Sequence, residues 1–171
     1  ARLLIVEKSL AYLDKLSAET SGDPSLHLGM ARAYERIGDV QGGTMKANLG
    51  DTDGSIKSYR KALAILQSLK NTDSQNKETR YKIAVCSQKL GTLLWETGDL
   101  KGSLDESRKA LTLLQQLVSE NPSDFDIRLE LVETLNKIGS ILLEQNDFSG
   151  ALKSHQQELE VYKSFSAGEF K

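Results

Sequence analysis

Three stretches of this 171-residue chain open with the same turn chemistry and lie 48 residues apart. They are Gly50-Asp51 running to Ala62-Leu63, Gly98-Asp99 running to Ala110-Leu111, and Asn146-Asp147 running to Glu158-Leu159. The segments before them keep the same offset, with Gln88–Leu94 matching Asn136–Leu142. A fixed period of this length means one supersecondary unit used several times, each burying its apolar face against the next.

Each unit reads as two helices. Ile127, Leu131, Leu135, Ile138 and Leu142 recur at steps of four, four, three and four, which draws one stripe along an α-helix. At the boundaries, glycine suits a left-handed helix end, aspartate suits the cap of the next helix, and Asn146 is the next-best left-handed residue. No strand-like alternation survives anywhere. Only two prolines, Pro24 and Pro122, interrupt a chain rich in helix formers. The first helices of the later units are expected near 75–97 and 123–145, roughly 35 Å long at ~1.5 Å per residue.

The first full unit departs from this pattern. Met30 to Asp39 reads as a first helix ending at a Gly38-Asp39 turn, after which Gly50-Asp51 repeats the turn. This predicts a 12-residue inserted loop over 39–50 and a shorter first helix opened by Asp23-Pro24, the favoured cap-then-proline order. Upstream, Leu3, Val6, Leu10, Leu13 and Leu16 form another stripe. The expected division of the single domain is a half unit over 1–21, units over 22–70, 71–119 and 120–167, and a tail over 168–171. That makes seven helices in an all-α right-handed solenoid, three and a half units of a longer chain.

Composition removes several functions. With 22 Lys+Arg against 24 Asp+Glu the net charge is −2, and the interspersed signs lack the footprint of a nucleic-acid binder. One cysteine makes no internal disulfide and no cysteine-based zinc site. No apolar run approaches the roughly 20 residues of a membrane span, and Leu3–Val6 is too short for a signal-peptide core. The expectation is a soluble domain without direct membrane insertion.

The residues resemble the tetratricopeptide repeat (TPR), which has a small residue late in the first helix, Gly-Asp at the turn, and an aromatic and an alanine in the second helix. The small residues here are Ala31, Gly91 and Gly139. The aromatic and alanine are Tyr59 and Ala62, replaced later by Ser107 and Ala110, then by His155 and Glu158. The usual repeat is about 34 residues, so these units are longer. A narrower resemblance rests on Ser9–Leu16, Gly22–Ser25, Ala33–Gly42, Asn48–Asp51 and Ser58–Leu63. These are similar to the C-terminal TPR region of bacterial serine/threonine protein kinases. That resemblance implies a regulatory or docking region, cytoplasmic, or periplasmic where a membrane helix precedes it. The chain itself carries no Gly-rich phosphate loop, His-Arg-Asp loop or Asp-Phe-Gly.

Candidate sites divide between the loop and the concave face. Gln41, Gly42, Gly43, Lys46 and Asn48 form either a binding loop or a plain connection; Gly42-Gly43 with Thr44 lacks the spacing of a phosphate cradle. First helices line the concave side of stacked pairs. The groove is therefore expected to carry Leu28, Arg32 and Arg36, then Gln88, Thr92 and Trp95, then Asn136, Ser140 and Leu143. Its two arginines suit a partner with acidic groups, because Arg forks carboxylates well. Trp95 reads equally as an anchor or as packing. His27, His155 and Cys86 read as packing residues. No acid–base or nucleophile set stands out, and no cofactor or metal is implied. The expected function is non-catalytic protein or peptide binding in the groove. The alternative is a small-ligand sensor whose 39–50 loop closes over it, with an enzyme least favoured. Apolar faces on the first and last helices also suggest self-association.

Overall fold

The computed structural model describes residues 2–19, 23–43 and 48–166. Seven α-helices follow one another: α1 (Arg2–Glu19), α2 (Pro24–Gly42), α3 (Thr52–Thr72), α4 (Lys77–Glu96), α5 (Leu100–Glu120), α6 (Phe125–Glu144) and α7 (Phe148–Ser166). No strand occurs among the described residues.

The turns work as the dipeptides suggest. Gly50, Gly98 and Asn146 have φ of 71°, 83° and 61°, the left-handed conformation that turns the chain into the next cap; Gly98 and Asn146 do so at the end of α4 and α6. The aspartate after each accepts a hydrogen bond from the amide three residues on, at Gly54, Gly102 and Gly150, over 2.9, 2.8 and 2.9 Å. A Cβ at any of these three glycines would lie 2.4 Å or less from the capping carboxylate. The Asp-x-x-Gly spacing is therefore one capping device used three times.

Each helix packs on the next, and α4 also makes a smaller direct contact with α2 on one side and α6 on the other. Among the described residues, α3 and α5 make no such contact, so the second helices stand apart while the first helices form one layer. A continuous apolar core runs from Val6 and Leu13 through Tyr34, Tyr59, Ala62 and Leu66 to Leu114, Leu131 and Leu135. A smaller cluster of Leu104, Ile138, Ile141, Leu142 and Ala151 closes the α5–α7 end.

One glycine in each first helix lets the second helix approach. A Cβ on Gly38 would meet the Tyr59 ring at 3.2 Å; on Gly91, the Ser107 Oγ at 3.3 Å; on Gly139, the His155 ring at 2.5 Å. Tyr59, Ser107 and His155 keep the 48-residue spacing, so Gly38, and not Ala31, is the counterpart of Gly91 and Gly139. This corrects the expected turn at Gly38-Asp39. Helix α2 runs straight through both residues to Gly42 and has 19 residues against 20 in α4 and α6, so it is not a short helix.

The insertion shrinks accordingly. The Asp51 amide donates to the Gln41 carbonyl as Asp99 donates to Leu94 and Asp147 to Leu142. Gln41 to Asp51 spans ten residues where the other two turns span five. The added segment is thus five residues beyond Gly42, and the predicted 39–50 loop was too long because it swallowed the last turn of a helix.

Candidate interaction face

The face shared by α2, α4 and α6 is built in two successive layers, one between α2 and α4 and one between α4 and α6. In the first, Lys89 of α4 reaches back to α2. Its Nζ lies 2.7 Å from Glu35 Oε1 and 3.0 Å from Asp39 Oδ1, with Lys82 3.7 Å from Glu35. Asp39 also accepts the Tyr59 hydroxyl, whose Cζ end packs on Gly38. Burial alone lowers the Lys89 pKa, but its bonds to Glu35 and Asp39 outweigh that and hold it above the usual lysine value.

The second layer combines an ion pair at its start, Lys77 Nζ to Asp124 at the α6 cap over 2.9 Å, with side-chain hydrogen bonds further along. Gln88 Nε2 donates to the Glu130 carbonyl at 2.9 Å and to Thr134 Oγ1. Trp95 Nε1 donates to Glu144 Oε1 at 2.7 Å, and Lys137 Nζ sits 4.2 Å from the centre of the indole ring. Asn136 donates to the Glu158 carboxylate, which also meets His155 Nδ1 at 2.9 Å. A pocket of about 340 Å³ opens between α4 and α6 beside Gln88, Thr92, Thr134 and Lys137.

Of the expected groove residues, the α4 and α6 sets lie in this layer: Gln88, Thr92 and Trp95 half-buried on α4, Asn136 exposed, Ser140 half-buried and Leu143 exposed on α6. The α2 set is displaced. Relative to Gly38, the counterparts of Gln88 and Thr92 are Glu35 and Asp39, which sequence reasoning missed. Leu28 and Arg32 were aligned seven residues away, two helical turns, so they keep nearly the same side of α2 but stand about 10 Å further along it, and Arg36 was set against Trp95, whose counterpart is Gly42. Leu28 packs against the core, Arg32 pairs with Glu78 at the start of α4, and Arg36 lines a surface hollow with Tyr12 of α1.

The loop residues are occupied internally. Gln41 is buried in α2, donating to Asp51 Oδ2 at 3.0 Å and accepting from Ser58 Oγ at 2.6 Å. Gly42 lies in the helix against Thr52 and Ser55, and Gly43 is the cap. Asn48 Oδ1 accepts the Gly50 amide, and its Nδ2 donates to the Gly43 carbonyl. Lys46 lies outside the described residues. Gln41 and Gly42 are thus helix residues that close the turn, a correction to their place in a binding loop.

The remaining singled-out residues pack. Cys86 is fully buried, its thiol pushed up to about 12 chiefly by burial, which removes thiolate reactivity at neutral pH. His155 fills the space left by Gly139. His27 is half-buried. Among the described residues no group of three His, Cys, Asp or Glu could hold a metal, and no helix is long and apolar enough to cross a membrane. The chain's ends carry exposed apolar side chains: Leu3, Leu4, Ile5 and Tyr12 on α1, Phe148, Leu152, Leu159 and Tyr162 on α7. Comparison with known proteins finds no matching family model and no curated protein with significant similarity.

Proposed function

We propose that this chain is a non-catalytic interaction module, a right-handed solenoid of TPR-like pairs that receives a segment of a partner protein along α2, α4 and α6. The observation that carries the reading is the construction of this face. Three first helices lie side by side, held by cross-helix polar bonds that fix their side chains, and Trp95, Asn136, Ser140 and Leu143 remain reachable from solvent. A pre-organised surface with an aromatic anchor binds extended segments at little ordering cost. The resemblance to the repeat region of bacterial serine/threonine kinases makes the module a regulatory or docking region of such a kinase. The apolar ends support a further expectation, contact with a second copy or with neighbouring parts of the parent chain.

The test is affinity capture with wild type, with a Trp95→Ala/Leu143→Glu variant, and with a control carrying Gln67→Arg/Gln116→Arg on the α3–α5 side. Partners retained by the control and lost by the α4–α6 variant are expected. Identical partner sets for all three proteins would refute the assignment of this face.

A further inference from the structure

Arg36, Lys89 and Lys137 occupy one equivalent position, each two residues before the glycine that admits the second helix. Lys89 finds two carboxylates on the preceding first helix, Glu35 and Asp39, within 3.0 Å. For Lys137 the same two places on α4 hold Gln88 and Thr92, which carry no charge. Gln88 spends its amide on Glu130 and Thr134, and Thr92 Oγ1 donates to its own helix at the Gln88 carbonyl. Among the described residues Lys137 makes no ion pair and no hydrogen bond; it stacks over the Trp95 ring, with Glu96 and Glu133 near enough to act on its charge without bonding it. Half-burial without a carboxylate pulls its ammonium below the usual lysine range, Glu96 and Glu133 restoring only part of the loss.

We propose that Lys137, stacked on Trp95 beside the α4–α6 pocket, receives one carboxylate side chain of the bound partner segment from the pocket, taking the pairing role that Glu35 and Asp39 take toward Lys89. The inference rests on the groove reading and names the partner's chemistry. The first layer supplies the precedent: a lysine at this position of α4 pairs with carboxylates within 3.0 Å. The rest of the pocket limits what enters. Glu130 and Glu133 line it, and neither pairs with a cation among the described residues. A run of acidic residues would be repelled by these two carboxylates, so the fitting segment carries an isolated Asp or Glu flanked by neutral or basic residues.

The experiment pans a random peptide library on immobilised wild type, on Lys137→Met and on Thr92→Asp. Thr92→Asp installs the counterpart of Asp39 and satisfies Lys137 from within. Circular dichroism melting shows that all three proteins are folded. Wild type is expected to select peptides with an isolated acidic residue. Both variants should bind these peptides about fivefold to tenfold more weakly, with the wild-type binding falling as salt rises. Peptides that bind through Trp95, as shown by loss on Trp95→Ala, but carry no acidic preference would overturn the inference and leave the groove reading intact. The same holds if acid-bearing peptides bind Lys137→Met as well as wild type. Selected peptides that all ignore Trp95→Ala would overturn the groove reading itself, and the inference with it.

Discussion

Tyr59 of α3 ties its helix to α2 through both its ring and its hydroxyl. Its ring is 1% exposed and lies against the backbone of Gly38, where a Cβ would press on it. Its hydroxyl donates to Asp39, the same carboxylate that holds Lys89. Burial first, then the bond to Asp39, raises the phenol's pKa far above its normal value, so it stays a donor at every accessible pH. Two substitutions separate the two roles. Tyr59→Phe keeps the packing and removes one donor from a half-buried carboxylate, and is expected to cost about 1 kcal/mol. Tyr59→Ala opens a cavity in the centre of the core and is expected to cost about 3–5 kcal/mol. Urea unfolding of both variants checks the values, and equal costs would mean the hydroxyl carries the whole effect. At the equivalent positions Ser107 and His155 meet Gly91 and Gly139 with different side chains, which is why the tyrosine was legible as a key residue only in the first unit.

At the scale of elements, helix number and boundaries were readable because they rest on local chemistry. The expected first helices at 75–97 and 123–145 are α4 and α6 to within two residues. The failure at α2 has a specific cause. Asp39-Val40-Gln41-Gly42 imitates Asp99-Leu100-Lys101-Gly102, a turn and cap with the right spacing. What decides between helix and turn is tertiary: Tyr59 lies on Gly38, Ser55 Oγ donates to the Gly38 carbonyl at 2.8 Å, and Gln41 is captured by Ser58 and Asp51. No dipeptide encodes those contacts. The seven-residue error still left Leu28 and Arg32 on nearly the correct side, because two turns of helix return to almost the same direction. Helix α1 is a second case where pattern outran packing. Its apolar stripe is wide, yet among its described residues only Val6 and Leu13 are buried, while Leu3, Leu4 and Ile5 are exposed. Leu13→Ala is therefore expected to destabilise by about 2–3 kcal/mol, and Leu4→Glu to change monomer stability by less than about 0.5 kcal/mol. Chemical denaturation at low protein concentration reads both. A large cost for Leu4→Glu there would show that α1 docks through a wider face than its packing on α2 uses.

Over the whole molecule, the stack alternates in how it treats one repeated cation. Between α2 and α4 the lysine is neutralised from within; between α4 and α6 it makes no ion pair among the described residues. The same substitution at the two places should then have opposite signs. Lys89→Met strands Glu35 and Asp39 in a half-buried site, with only Lys82 at 3.7 Å to compensate. With about a third of the Lys89 side chain exposed, the loss is expected to be about 1–2 kcal/mol and no more. Lys137→Met removes an unpartnered half-buried charge and lays an apolar chain on Trp95, so it should be neutral or stabilising. The pH dependence follows the same logic. The folded pKa of Lys89 is raised, so its contribution is complete below the unfolded value near 10.5 and is lost as pH rises through the folded one. For Lys137 the folded pKa is lowered, so its penalty is complete at neutral pH, fades as pH rises through the lowered folded value and is gone above the ordinary lysine value. Urea midpoints at neutral pH, with unchanged slopes, measure both variants on one scale. If Lys137→Met destabilised as strongly as Lys89→Met, Lys137 would be holding the free stack together, and its role would be structural in both layers.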